Sequence, residues 1–323
     1  MSFKRFDTED IVVSSDSISS PAWSNNLVTL TQDGLTTNSV QVSANSGNYY
    51  HNLYTTGSTG EAQFSVAYGH LYGSGSLLYN SSVTSKSYSK TVYGQFRTLI
   101  NGDEDTDFIF GTTTPNNVYF ISVERARFKE KLLPGSLTLT IGTNSSNQIS
   151  LTDNSLTATV NTFKDAGREY LIYEGTEGTV SSTTNVYGKL YPDTGIIVLN
   201  GDLLASQGYI TAPTETSNYS AASNISLLHN NIIEFTLRSE ETISSNYIFV
   251  RARNSEFNYS TNPSNITGSG ELQHDSMIDT PQAYVTAVGL YNDNNDLLAV
   301  SKLSKPLLKD FNKEALIRIK LDY

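Results

Sequence analysis

Histidine, cysteine and acidic residues are the first places to look for chemistry, and here none of them forms a catalytic or metal-binding pattern. The four histidines are far apart in the sequence and show neither the H-x-H nor the H-E-x-x-H spacing of a metal site. They are His51, His70, His229 and His274. The chain has no cysteine, so it has neither a thiolate ligand nor a disulfide. It also lacks the G-x-S-x-G sequence of a hydrolase nucleophile.

We therefore expect no catalytic residues, no metal site and no cofactor. One kind of active site stays open, because the paired carboxylates of a glycosidase come together only in the folded protein. A second alternative is an acidic run, DEDTD at residues 103–107. A calcium loop of the helix–loop–helix type needs Gly at its sixth position and Glu at its twelfth, where this chain has Phe108 and Thr114. The run is typical of a solvated loop, and a weak cation site is the alternative.

The most distinctive charged residues are basic and lie in two Arg-Ala-Arg stretches. If residues 118–133 formed a strand, alternation would place four cations on one face. These are Arg125, Arg127, Lys129 and Lys131. Arg251 and Arg253 would form a second, shorter basic ribbon.

These cations have two interpretations. In the first, they pair within the chain with nearby acids such as Glu124, Glu130 and Glu256, as surface charges commonly do. In the second, at least one ribbon binds an acidic patch on another copy or another protein, because the guanidinium group binds carboxylates bidentately. The candidate interface residues, including the single tryptophan, are Arg125, Arg127, Lys129, Arg251, Arg253 and Trp23.

The composition indicates a β-rich protein. Charged residues make up only 16% of the 323 residues, below the usual share of about 25%. The chain has 20 tyrosines and 13 phenylalanines, which favour strands over disorder. The net charge of −11 argues against a general nucleic-acid surface. No apolar run approaches the roughly 18 residues of a membrane-spanning helix, and the start lacks a signal peptide, so we expect no membrane partner and synthesis in a cytoplasm-like compartment.

One segment has helical periodicity. Its apolar residues recur every three or four positions and predict a helix over residues 88–100, capped by Ser85 or Ser87 and ended by Asn101-Gly102. They are Tyr88, Val92, Tyr93, Phe96, Leu99 and Ile100. We expect this apolar stripe to face the core, with a groove for a partner as the alternative.

The strongest hairpin signal lies near the C-terminus. AYVTAVGL at residues 283–290 and LLAVSKL at residues 297–303 are joined by a polar turn. The hairpin should belong to the core sheet of the C-terminal half. Either Val285 or Val288 should face that core, since their positions have opposite parity. A last strand with one apolar face is expected at residues 315–323, and Pro192-Asp193-Thr194-Gly195 should form a turn.

The predicted fold class is mainly β: β-sandwich or barrel-like sheets, one main helix and an extended N-terminal arm. The predicted organisation is an arm at residues 1–26, a β-rich region with one helix at 27–145, and a C-terminal β-sandwich-like region at 146–323, divided by a polar Ser/Thr/Asn-rich stretch at 144–161. The alternative is that the two regions form one continuous unit. The arm either docks as a strand on its own chain or packs on a neighbour.

With these residues in view, the chain resembles a family of structural proteins from contractile-tailed phages, especially marine and cyanobacterial ones. Four stretches carry the resemblance. They are FKRFDTEDIVVSSDSISSPAWS at residues 3–24, VYFISVERARFKEKLLPG at 118–135, YPDTGIIVLN at 191–200, and the segment from Phe257 to the end. In the last segment, EFNYSTNPSN followed by the hairpin is the most specific part.

The resemblance implies a virion structural protein, with the tail baseplate as the expected location and with no catalytic residues. Its partners would be other virion and baseplate proteins, with a homo-oligomer as an option, and it would assemble in the host cytoplasm. The alternatives are a host-receptor or glycan-binding tail protein, a neck or head-associated virion protein and, last, an enzyme acting on cell wall or polysaccharide.

Overall fold

The structure is a computed structural model that describes residues 8–37, 49–56, 60–71, 88–159, 162–213 and 221–322. The chain forms two compact units. Unit 1 comprises Met1–Ser17 together with Thr242–Tyr323, and unit 2 is Ile18–Glu241. The predicted boundary near residue 145 is wrong, because Asn144 and Asn147 are paired across a tight hairpin inside unit 2.

The strands of the described residues are β1 (Ile11–Pro21), β2 (Thr29–Thr31), β3 (Leu35–Thr37), β4 (His51–Thr55), β5 (Ala62–His70), β6 (Asn117–Val123), β7 (Lys131–Leu132), β8 (Thr138–Asn144), β9 (Asn147–Asp153), β10 (Thr162–Lys164), β11 (Gly167–Thr176), β12 (Thr179–Ser182), β13 (Gly188–Tyr191), β14 (Ile196–Asn200), β15 (Ile232–Thr236), β16 (Arg238–Ala252), β17 (Gln282–Tyr291), β18 (Leu297–Asp310) and β19 (Ala315–Asp322). The α-helices are α1 (Tyr88–Asn101), α2 (Gly201–Ser206), α3 (Ala221–His229) and α4 (Ser276–Asp279). The predicted mainly β fold with one main helix is confirmed.

Unit 2 is built on a large antiparallel sheet that is nearly closed into a barrel. Its strands follow the order β2-β15-β8-β9-β11-β13-β14-β6-β5-β4-β3. The two strands at the ends of this order, β2 and β3, are separated in sequence only by Gln32–Gly34, so the first and last strands must lie near each other. Phe64 of β5 and Phe235 of β15 meet across the interior, with ring centroids 5.1 Å apart.

Strand β6 shows why the barrel wall is apolar on both faces. Tyr119 and Ile121 belong to the core cluster inside the barrel, whereas Val118 and Phe120 belong to a second cluster that includes α1. A strand that is covered on both faces reads as a continuous apolar run rather than an alternating one. The segment NVYFISV has that character.

The predicted helix is confirmed, with one residue more at its C-terminal end. Phe96 of α1 stacks on Phe120 at 4.1 Å between ring centroids. Helix and sheet approach closely at Gly69 of β5, where a Cβ atom would lie only 3.0 Å from the Cα of Tyr93. Leu99 departs from the predicted apolar stripe, since its side chain is exposed. The expected caps at residues 85 and 87 lie outside the described residues.

Most residues of a sheet with the order β1-β16-β19 belong to unit 1, and β7 also pairs with β16 in this sheet. Strands β17 and β18 form a separate two-stranded sheet in unit 1. Strand β1 therefore pairs within its own chain, as the first interpretation of the N-terminal arm expected; residues 1–7 of that arm lie outside the described residues. The only fully buried cluster that the described part of unit 1 contains is Ile248, Leu290 and Ile319.

The predicted hairpin forms, but it does not join the core sheet as expected. It makes its own two-stranded sheet and packs on β16 and β19 through Leu290. The register shifts between Val285 and Ala287, which pair with Leu307 and Lys302, so the extra residues of this irregularity lie in β18. Val285 and Val288 are both half-buried, and Val288 packs against the buried cluster of unit 1. Val285 is not part of that cluster, so one of the two valines faces the core, as expected.

Candidate functional site

The basic segment after β6 does not form the predicted strand. Arg125–Arg127 is a turn of 3-10 helix, in which each residue advances a third of a turn, so these arginines do not share a strand face. The Arg125 guanidinium lies 4.6 Å from the centroid of the Phe128 ring and donates to the Phe128 carbonyl at 2.5 Å. The predicted ribbon of alternating cations is therefore wrong.

Arg127 is the centre of a polar network inside unit 2. Its Nη1 donates to Ser24 Oγ at 2.6 Å and to Glu61 Oε2 at 2.9 Å. Ser24 Oγ also donates to Glu61 at 2.7 Å and accepts from Gln63 Nε2 at 2.6 Å. The hydrogen bond from Ser24, and next the bond and charge of Arg127, hold the pKa of the Glu61 carboxyl below its ordinary value. The network ties the residues after β1 to the start of β5.

Lys129 and Lys131 hold the start of β16. The Lys129 ammonium forms an ion pair with Glu241, and its backbone N–H donates to Ser239 Oγ at 2.9 Å. Lys131 Nζ lies 3.5 Å from Glu240 Oε2, and both side chains are mostly buried. Strand β7 pairs with β16 at the same place.

We call Arg127, Lys129 and Lys131 the basic clamp. It holds Ser24 and residues 239–241. Ser24 follows the boundary between the units at Ser17, and residues 239–241 directly precede the boundary at Thr242. The ion-pair partners are Glu61, Glu240 and Glu241. All three are far from the clamp in sequence, so spacing along the chain gave no signal for them.

A cleft of about 400 Å³ lies beside the clamp, within unit 2. It is lined by Ser20, Pro21, Ala22, Trp23, Ser24, Asn25, Asn26, Glu61, Ala126, Arg127, Phe128, Lys129 and Ser239. Asn25 and Asn26 form its exposed rim with φ angles of 59° and 58°. Asparagine is among the few residues that adopt this left-handed conformation readily, and here it lets the chain reverse between Trp23 and Leu27.

Trp23 contributes to the core, although it was expected at an interface. Its side chain is only 3% exposed. The indole Nε1 donates to the Phe235 carbonyl at 3.0 Å, and the ring contacts Phe235 and Phe64 at centroid distances of 4.9 and 5.9 Å. The side chain therefore anchors the residues after β1 in the barrel of unit 2.

The other two candidate arginines lie in unit 1, on or just after β16. Arg251 Nη2 is 2.7 Å from Glu314 Oε2, and both side chains are exposed. At Arg253 the backbone N–H donates to Glu256 Oε2 at 2.8 Å, so the expected partner is present but binds the main chain. The structure thus leaves Arg251 and Arg253 exposed on unit 1.

The exposed apolar residues are unevenly distributed. Unit 1 is the smaller unit, yet it carries most of the large apolar side chains that are exposed in the described part of the chain. These are Ile11, Val12, Val13, Tyr259, Ile278, Tyr284, Tyr291, Leu297, Leu298, Val300, Phe311 and Leu316. Sequence reasoning did not identify them as a group, since their exposure depends on the thin core of this unit.

The acidic run at residues 103–107 closes its own loop. The Asp103 carboxylate accepts from the N–H groups of Asp105 and Thr106 at 2.8 and 2.5 Å, and Asp107 pairs with Arg97 at 3.0 Å. The hydroxyl and the N–H of Thr106 lower the pKa of Asp103. Within the described ranges, no group of three or more His, Asp or Glu side chains is arranged to hold a metal ion.

None of the helices in the described ranges is both long and apolar enough to cross a membrane. Comparison of the chain with protein-family models, with curated proteins and with solved structures gives no significant match.

Proposed function

We propose that the chain is an architectural subunit of a phage virion, a component of the contractile tail and specifically of its baseplate, held in place by contacts with other virion proteins. Two independent features support this function. The first is the resemblance of the four stretches described above to structural proteins of contractile-tailed phages. The second is the surface of unit 1.

The surface of unit 1 is the observation that carries the proposal. Isolated apolar side chains are normal on a protein surface, but a concentration of them marks a contact site. In unit 1 the buried cluster holds three residues, whereas Val13, Leu298 and Leu316 are each more than half exposed. A subunit that completes its core against neighbours has this distribution, because burial of apolar surface is the main favourable term in association.

The location is tested on purified particles. Virions are separated into head, neck and tail fractions, and the chain is quantified in each by mass spectrometry against a known tail protein. We expect it in the tail fraction, in a fixed number of copies per particle. Its absence from particles overturns the proposal, and its presence only with heads or necks supports the alternative of a head-associated virion protein.

A glycan-binding tail protein is the second candidate, and one feature of unit 2 favours it. A shallow depression of about 360 Å³ is lined by Asn154, Thr157, Ala158, Thr159, Thr162, Glu169 and Leu171. Phe163, next to it in sequence, is 66% exposed. Polar side chains beside an exposed aromatic ring are suited to a sugar, so we expect Phe163→Ala, but not Leu99→Ala, to abolish any binding of the protein to host envelope material.

A further inference from the structure

The sheet β1-β16-β19 of unit 1 has two outer strands whose far edges pair with nothing in the described residues. Such an edge presents unpaired N–H and C=O groups to any strand that approaches it. Natural proteins guard these edges with lysines, prolines or bulges. An edge without these devices is open to a partner, and charges on an edge restrict pairing to a strand of complementary charge.

Strand β18 is guarded and β1 is not. In β18, Lys302, Lys305 and Pro306 lie along the strand, and its register with β17 is broken at two places. Strand β1 has eleven residues, IVVSSDSISSP, with one charge and with proline only as its last residue. Ile11, Val12 and Val13 are all exposed. Because successive side chains point to opposite faces, both faces of β1 are uncovered there.

The two outer strands carry opposite charges. The segment from Thr8 to Pro21 contains three acids, Glu9, Asp10 and Asp16, and no Lys or Arg. On β19, Arg318 lies over the Tyr247 ring at 5.7 Å and Lys320 lies near the same ring at 5.9 Å. β19 ends in Asp322, which pairs with Lys320 at 2.9 Å, so its two cations and one acid leave a net positive charge. An acidic outer strand and an outer strand of net positive charge make the two ends of the sheet complementary to each other.

The faces of the two strands also match. By alternation, Ile11 and Val13 of β1 lie on the face opposite to Asp16. On β19, the half-buried or buried Ile317 and Ile319 likewise lie opposite to Arg318 and Lys320. Beside β19 of another copy, β1 would thus place apolar residues next to apolar ones and its acid next to the cations.

We propose that β1 of one copy pairs with β19 of a second copy, so that the sheet of unit 1 continues from subunit to subunit. This inference rests on the proposed structural function, and it identifies a second copy of the same chain as one partner of the subunit. The contact joins two different surfaces, so it is head-to-tail and produces a ring or an open chain of subunits. Backbone hydrogen bonds supply the pairing, and the charges select the partner strand.

The test uses the purified full chain and two charge reversals. Asp16→Lys places a cation on β1, and Arg318→Glu places an acid on β19; both side chains are exposed, so thermal melting should be unchanged. Asp293→Lys, in the exposed turn between β17 and β18, is the matched control. Sedimentation velocity over a range of protein and salt concentrations reports the association.

We expect the parent chain to associate, more strongly at low salt, and the control to behave like the parent. Each reversal should weaken association about tenfold, because opposite charges on neighbouring strands become like charges. An equimolar mixture of the two variants should recover it, since the introduced lysine on β1 of one copy then meets the introduced glutamate on β19 of the other. A parent chain that stays monomeric, or a mixture that fails to recover, overturns the inference. Neither result affects the location of the chain in particles, which tests the proposed function separately.

Discussion

At the scale of single residues, the most informative side chain is Lys309 of β18. It is fully buried, and its ammonium donates to the carbonyl oxygens of Asn254 and Asp310 at 3.1 and 3.0 Å and to Asn258 Oδ1 at 2.7 Å. A buried charge is tolerated only when its hydrogen bonds are made. Lys309 therefore fixes the irregular segment after β16 against the hairpin.

Replacing Lys309 by methionine should destabilise unit 1. Methionine fills similar volume but removes the donor to the buried side-chain oxygen of Asn258, which should cost about 1–3 kcal/mol. Denaturant unfolding measures the difference. Lys305→Met, at an exposed position of the same strand, should change the stability by less than about 0.5 kcal/mol. Equal effects of the two variants would contradict the role given to Lys309.

His229 of α3 gives a prediction for pH. Burial, and then the charge of His51, lower its pKa from 6.5 to about 4; the two rings are 5.3 Å apart. The folded state thus favours the neutral imidazole, so its contribution to stability is complete above pH 6.5 and is lost as the pH falls from about 6.5 to about 4. NMR titration should show His229 still neutral at about pH 5, and His229→Gln should flatten the stability curve in this window. A midpoint at the ordinary histidine value of about 6.5 would refute this assignment.

At the scale of elements, a register shift separates the residues of the hairpin that face the core from those that do not. Val285 pairs with Leu307 and Ala287 with Lys302, so β18 has the extra residues at this point. Beyond the shift, Val288 and Leu290 pack on β16 and β19, whereas Val285 lies outside that cluster. The hairpin therefore packs through the half that is nearer its turn.

This arrangement predicts a pattern for aspartate substitutions in β17. Val288→Asp should lower the stability of unit 1 by about 2 kcal/mol, because it places an uncompensated charge against apolar surface. Val285→Asp should cost less, and Thr286→Asp should have little effect. Thermal melting of the three variants is sufficient. Equal losses for Val285→Asp and Val288→Asp would contradict the packing of the hairpin through Val288 and Leu290.

Local signals in the sequence were enough for elements that depend on nearby residues. The period of the apolar residues predicts α1, and Pro192 with Gly195 predicts the turn between β13 and β14, where Gly195 has a φ of +72°. Contacts between distant residues were not accessible in this way. The pairing of Arg127 with Glu61, the burial of Trp23 and the register shift between β17 and β18 follow from the register of strands that meet only in the fold. The division into units was missed because unit 1 joins two separate parts of the sequence.

At the scale of the whole molecule, the two units differ in how much of their apolar surface they bury. Unit 2 has two extensive clusters, one inside the barrel and one under α1. The fully buried cluster of unit 1, within the described residues, is far smaller. Local stability follows the density of buried contacts, so the units should not share one unfolding transition.

Hydrogen exchange should therefore separate the two units. We expect amides of β6 and β14, which lie in the middle of the large sheet, to exchange much more slowly than those of β19 and β17. Mass spectrometry of peptides after timed exchange measures this directly. Exchange at one common rate in both units would show that they unfold together.

The interleaving of the units also sets an order of events during synthesis. Unit 2 is one continuous stretch and can fold as soon as Glu241 has left the ribosome, since domains generally fold as units during translation. Strand β1 precedes unit 2 in the sequence but pairs with β16, which follows unit 2, and the sheet is complete only with β19. The two edges proposed to pair between copies therefore belong to one sheet only after β19 has been made. On this proposal, a chain that is still being translated lacks the complete pairing surface.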